Sequence, residues 1–376
     1  MHSMNCTEEK APGNSCAPGF GAFPLKKMNL VCATSIAFLR IAAMQLYRFV
    51  SCSAALVPGA VVATLALVVS VRAATYTTFD PAGSTATKVL NISAGVITGS
   101  YVDGSGASHG FVRAANGTIT AFDPMGSLGT YAKSVNKRGS ITGYYEDSNV
   151  QAHGFLRSAD GKIKSFDPSG SLGTTAWSIN DKGVIVGYYF DGNNQSHGYM
   201  RAHDGTITVI DVSGGGETYA TAVNDGGAVT GYSGAGSFVR AADGTITNFF
   251  VEGYVGFTQS INNGGAIAGW YLDNVGEEHA FVRAPDGTIA VVDPPGSINT
   301  ICHSINSKGR ITGWYEDGSH VLHGFVRSAD GKIKSFDPPG SIGTYATGID
   351  SGINSGAIAG DYVDGGDVLH GFLRSP

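Results

Sequence analysis

Cysteine is almost absent from most of this 376-residue chain. Cys6, Cys16, Cys32 and Cys52 all fall in the first 74 residues and only Cys302 follows, so no disulfide can form after residue 74. Charge is sparse at 14% of residues, and what there is leans acidic. The first 74 residues carry six basic and two acidic side chains, which leaves 18 Lys and Arg against 28 Asp and Glu in the remainder. A surface of that sign repels phosphate backbones and anionic lipid, which argues against nucleic acid and membrane surfaces as partners. Helical periodicity is missing after residue 74. So are the G-x-S-x-G elbow, H-E-x-x-H, a phosphate-binding glycine loop and a complete calcium loop. DGNNQSH from Asp191 lacks the closing glutamate that a calcium loop needs.

What is present divides the chain in two. An uncharged run from Phe49 to Val71 follows Arg48 and ends in Val71-Arg72-Ala73-Ala74, which predicts a signal peptide cut after Ala73 or Ala74. The run is long enough to cross a bilayer, but Pro58 and Gly59 interrupt it. Residues 1–43 stand oddly ahead of such a signal, and MQLYR from Met44 makes a conventional basic start. The expectation is a leader over 1–74 and a single exported domain over 75–376, extracellular or periplasmic.

From Thr75 onward three signals recur seven times in fixed order. A strand closes on an aromatic or aliphatic residue and, in six units, an aspartate, as in TITAFD from Thr118 and KIKSFD from Lys162 and Lys332. An N-x-x-G turn enters an alternating strand, as in VNKRGSITGYY from Val135 and INSKGRITGWY from Ile305. A third strand reads HGFLR at His153 and HGFVR at His323. Each unit is about 43 residues with four short alternating runs, A to D, separated by Gly, Asn and Asp clusters. Asp-Gly between C and D matches a tight hairpin turn. Seven four-stranded units predict an all-β fold, a single seven-bladed β-propeller. The region opens on a lone D strand, TYTTFD, and closes on a lone C strand, HGFLRS, so the N-terminal strand is expected to complete the last blade and close the ring.

EHAFVR from Glu278 and the INxxGxIxGYY segments resemble the bacterial probable extracellular repeat family named for its HAF motif. The resemblance covers nearly all of 75–376. It implies a secreted repeat protein and no particular reaction.

Asp-x5-His pairs occur in six units, for example Asp147 with His153 and Asp317 with His323. An active site occurs once, so the repetition assigns these pairs to the architecture, as a buried hydrogen bond holding the B to C hairpin. The Arg ending each strand C and the Asp of F-D-P are structural on the same ground. Function should break the symmetry. One position in the middle of strand A varies freely: Lys133, Trp177, Thr221, Gln259, His303 and Thr347, with the first unit too irregular to align. If strand A is innermost these line the central channel. The fourth unit also departs, with a shortened B to C loop and two carboxylates, Glu217 and Glu252, in the D to A loops beside it.

Two function classes follow. A monomeric binding module would hold a small extracellular molecule or glycan at the channel or the top face, with Trp177, Gln259, Thr221 and Thr347 as contacts. A calcium-dependent lactone or ester hydrolase would use Glu217 and Glu252 as metal ligands and His303 or Lys133 as base or charge stabiliser.

Overall fold

The computed structural model describes residues 73–352 and 356–376. The expected signal peptide, up to residue 72, lies outside the described residues. The described residues form 28 strands in seven antiparallel blades of four, designated A to D from the axis outward. The A strands are Ser84–Ser93, Gly129–Val135, Gly173–Ile179, Thr218–Val223, Gly256–Ile261, Ser297–Ile305 and Ser341–Ile349, in blades 1 to 7. Each packs on the A strand of the next blade, and that of blade 7 returns to blade 1. Strands A therefore enclose the axis. The seventh sheet takes its D strand from the other end of the domain: Thr75–Phe79 pairs antiparallel with Leu369–Ser375, Thr75 opposite Ser375 and Phe79 opposite Gly371.

The repeated residues hold blade to blade. The Phe or Tyr of each H-G-F strand is fully buried, and five of these rings meet the D-strand Phe of the preceding blade edge to face, as Phe155 does Phe122 at 5.9 Å. The Arg ending strand C lies over that same D-strand ring, with Arg157 4.8 Å from Phe122 and Arg113 5.0 Å from Phe79. Such contacts bring a guanidinium into the core on an aromatic face, where cation and ring attract.

The A strands are not regular. In every blade the A to B register slips by one residue, leaving Leu90, Lys133, Trp177, Thr221, Gln259, His303 and Thr347 as the extra residue of a β-bulge. A bulge kinks the strand and re-aims the side chain it carries. The carbonyl two residues before it faces strand B, where the chain places the glycine of I-T-G-Y-Y. At Gly313 an added Cβ would overlap the Ile301 carbonyl oxygen. At Gly143 it would overlap that of Tyr131.

Candidate functional site

The end of the propeller carrying the D to A and B to C loops, hereafter the top, bears six copies of one charge network. His109, His153, His197, His279, His323 and His370 each place Nδ1 2.7–3.0 Å from the carboxylate ending strand D: Asp123, Asp167, Asp211, Asp293, Asp337 and Asp80. The Asp-x5-His contact anticipated from sequence is the longer one, at 3.3–3.7 Å from Nε2, and it is partly exposed. That corrects the expected pairing. The x5 aspartates chiefly hold their own loops, Asp147 Oδ1 accepting from Asn149 N at 2.8 Å and Gln151 N at 2.9 Å. The strand D aspartate reaches into the next blade, where Asp123 Oδ1 accepts from Thr130 Oγ1 at 2.6 Å. Blade 4 has no histidine; Ser237 spans the gap, donating to Gly256 O at 2.8 Å and accepting from Gly256 N at 2.9 Å.

These groups set a pH window for stability. The bond to the strand D carboxylate raises His109 and His370 above the ordinary imidazole value. In His153, His279 and His323 partial burial opposes the charge, yet the two carboxylates outweigh it and the net shift is again upward. A raised histidine contributes stability fully present below its unfolded pKa of about 6.5, and lost as pH rises through the folded value. The x5 aspartates are lowered, by the Ser105 hydroxyl first at Asp103 and by backbone N–H bonds first at the other five. Their contribution is present above about pH 3.9 and lost as pH falls. The melting temperature is therefore expected to be higher at pH 6 than at pH 8.5, and a His109→Gln, His370→Gln double variant to shrink that difference. Equal melting temperatures at the two values would refute it.

On the axial strands the six variable positions named above occupy one structural site, the bulge, and Leu90 of blade 1 is its seventh member. Lys133 Nζ lies 4.7 Å from the Trp177 ring and 5.5 Å from that of Tyr144. His303 Nε2 accepts from Trp314 Nε1 at 3.1 Å. Thr221 is buried, donating to Thr230 O at 3.2 Å and bonded to Thr258 Oγ1 at 3.0 Å, and Thr347 Oγ1 donates to Ala359 O at 3.3 Å. Gln259 is half-buried.

Beside these runs an aromatic lining of strands A and B, outside the variable position. Strands A and B pair Tyr131 with Tyr144, Tyr219 with Tyr232 and Phe257 with Trp270. Contacts continue between blades at Tyr188 to Tyr219, 4.9 Å, Tyr232 to Phe257, 5.0 Å, and Trp314 to Tyr345, 5.7 Å. The lining breaks at blades 7 and 1, where the same register holds Tyr345 opposite Asp361 and Lys88 opposite Ser100. Asp361 is 3% exposed and accepts from Val89 N at 3.1 Å. Burial pushes it up to about 7, against the pull of Lys88 and of that N–H. Burial, then the like charge of Lys88, pushes Lys133 down to about 8 and His303 down to about 4. One lysine of blade 1 thus acts on groups from blades 2, 6 and 7. The G-D-Y of blade 7, where five other blades read G-Y or G-W, was the available signal.

At the opposite end the N-x-x-G asparagines form a circumferential ladder, each Nδ2 donating to the next blade's carbonyl: Asn136 to Asn180 O and Asn180 to Asn224 O at 2.9 Å, Asn224 to Asn262 O and Asn262 to Asn306 O at 3.1 Å. Asp350 closes the ring, accepting from Ala94 N and Gly95 N. A cavity of about 150 Å³ sits in this mouth, and Lys137, Asp181, Asp225 and Asn263 are on its wall. These side chains are largely spent on one another: Lys137 Nζ lies 2.7 Å from Asp181 Oδ2, and Asn263 Nδ2 donates to Asp225 Oδ2 at 2.7 Å.

Glu217 and Glu252 are exposed on neighbouring D to A loops at the top. Glu217 accepts from the Tyr219 hydroxyl at 3.0 Å. Glu217 precedes the bulge by four residues, roughly 13 Å of extended strand. Among the described residues the one group of three metal-competent side chains with converging ligand atoms is Asp273, Glu277 and His279, to which neither glutamate belongs.

No protein-family model matches the chain, and no curated protein matches it in sequence. Solved structures match in fold. The β-propeller domain of the trilobed protease from Pyrococcus furiosus, which has an open velcro topology, aligns at a TM-score of 0.56 with 7% identity, over 77% of this chain and 94% of that one. YCF48 bound to D1 peptide aligns at 0.50 with 12% identity over 80% and 96%, and the BP39L lectin from Burkholderia pseudomallei at 0.50 with 8% identity over 78% and 98%.

Proposed function

We propose that this propeller is a secreted binding module that takes a small molecule or glycan in its axial channel, between the bulge residues and the aromatic lining. The observation that carries the reading is the contrast between the two sets of residues. Those that repeat are consumed in holding blades together. Those that differ, Lys133, Trp177, Gln259 and His303, share one inward site ringed by Tyr, Trp and Phe. Aromatic faces stack on the apolar faces of sugars and other flat ligands, and a few polar groups then fix orientation. The HAF-like and INxxGxIxGYY segments support an extracellular setting, and the leader supports export. A lectin and a peptide-binding protein among the fold neighbours are compatible with a binding role.

The test is a glycan array and a small-molecule screen on the purified 75–376 segment, with hits titrated by tryptophan fluorescence against wild type and Trp177→Ala. A hit weakened at least tenfold in the variant, at a melting temperature within a few degrees of wild type, is the expected result. Hits indifferent to Trp177, or chelator-sensitive turnover of a lactone panel, would overturn the reading in favour of a top-face site or a calcium-dependent hydrolase.

A further inference from the structure

We infer that the top face of the propeller docks a basic polypeptide segment with apolar side chains, a partner separate from anything held in the channel. Two distributions coincide on that face. Nineteen of the 28 carboxylates after residue 74 lie in the D to A and B to C loops or at the strand ends entering them, and none of the 18 Lys and Arg does. Seven histidines share the face, too few to balance it even if every ring is charged. Those loops and their borders also hold ten of the twelve large apolar side chains that stand exposed among the described residues; the other two, Val209 and Val291, lie on the outer strands D. Single exposed apolar residues scattered over a surface need no explanation, but their concentration on one face marks an interaction site.

The loops fix apolar group and carboxylate side by side. Leu128 N and Leu172 N donate at 2.7 Å to Glu146 O and Phe190 O, the last residues of strand B in their blades. Each leucine thus stands on a tethered backbone beside Glu146 or Asp191. Ile342 is the extra residue of a second bulge, between Ser341 opposite Asp364 and Gly343 opposite Val363. Side chains on backbone held in this way have little freedom left to lose on docking. Charge then selects the occupant. A second copy joined top to top brings two acidic faces together. Joined top to bottom, it offers 14 Lys and Arg against eight aspartates but none of the exposed large apolar groups to meet those of the top. An anionic membrane is repelled, and a cationic sugar answers the charge while leaving Leu128, Leu172 and Ile342 wet. A segment with Lys or Arg interspersed among apolar residues covers both.

The probe is a short Leu/Lys peptide, with oligolysine and a Leu/Glu peptide of equal length as controls. Binding to the purified protein is measured by biolayer interferometry at low and physiological salt for four variants beside wild type: Leu128→Ser, Leu172→Ser, Ile342→Ser together; Lys162→Glu, Lys332→Glu at the other end; Trp177→Ala; and Glu252→Lys, Glu277→Lys on the top. The Leu/Lys peptide is expected to bind at least tenfold tighter than oligolysine and to weaken as salt rises, and the Leu/Glu peptide not to bind. The serine variant, whose replaced side chains are all exposed, should melt within a few degrees of wild type and lose the Leu/Lys advantage, its oligolysine affinity staying within threefold. The lysine reversal on the top should weaken both basic peptides at least threefold, while the other two variants behave as wild type. Equal affinity for Leu/Lys peptide and oligolysine, or an advantage that survives the serine substitutions, refutes the docking surface. Tighter binding to phosphatidylglycerol vesicles than to the peptide refutes the partner class. So does low-salt self-association on sedimentation that the serine variant abolishes, which would make a second copy the occupant. Loss of binding in Trp177→Ala would put the peptide in the channel and likewise refute the surface, whereas failure of the channel screen leaves it standing.

Discussion

Gly313→Ala is expected to cost about 4 kcal/mol or more, enough to lower the melting temperature by roughly 10 °C or prevent folding altogether. The new methyl group would collide with the Ile301 carbonyl oxygen and press on the Cys302 backbone, both main chain. No rotamer change relieves such a clash, and the carbonyl cannot retreat because the bulge at His303 put it there. The same substitution at Gly318, in the B to C turn of that blade, meets nothing within 4 Å and serves as the control, with an effect within about 0.5 kcal/mol. Thermal melts of the two variants check the claim. A Gly313→Ala protein that melts like the control would mean that strands A and B do not carry the bulged register.

Removing residues 75–80 should be as damaging by a different route. The deletion takes away the fourth strand of blade 7 and exposes Leu369–Ser375 as an unpaired edge. It strips Phe79, 8% exposed, from the rings of Phe111 and Phe372's blade and from Arg113. It also removes Asp80, which holds His370 Nδ1 at 2.7 Å and Thr87 Oγ1 at 2.6 Å and so joins blade 7 to blade 1. Loss of a buried Phe alone costs about 3–5 kcal/mol, and an open edge invites pairing between molecules. The truncated chain should lose its cooperative melt or shift it down by more than about 15 °C, and sediment as concentration-dependent oligomers. A monomer melting within a few degrees of the full domain would show that the ring does not depend on this closure.

Much of this architecture was legible because it is written seven times. The lone D strand at Thr75 and lone C strand at His370 foretold the closure, and repetition marked the His and Arg side chains as structural. The partner of the histidine was misread for a geometric reason. Spacing brings Asp147 to His153 across one short loop, whereas Asp167, 14 residues away, arrives only once strand D has folded back on strand C. The bulge was hidden as well, since one extra residue leaves no trace in an alternating pattern except the glycine opposite it. Leu90 escaped alignment because the first A to B turn is shorter by a residue than those of blades 2 to 6. Asp361 and Lys88 lie in the seventh and first units, which meet where the ring closes, and there they fall at the break in the aromatic lining.

The division of labour between repeated and variable residues can be tested in one protein. Threonine already occupies the bulge in blades 4 and 7, so the backbone there accepts it. In a variant carrying Lys133→Thr, Trp177→Thr, Gln259→Thr and His303→Thr, circular dichroism and a cooperative melt should persist, while affinity for a ligand retained by the wild type should fall at least a hundredfold by calorimetry. Binding that survives all four substitutions in a folded protein would contradict a site at the bulge ring.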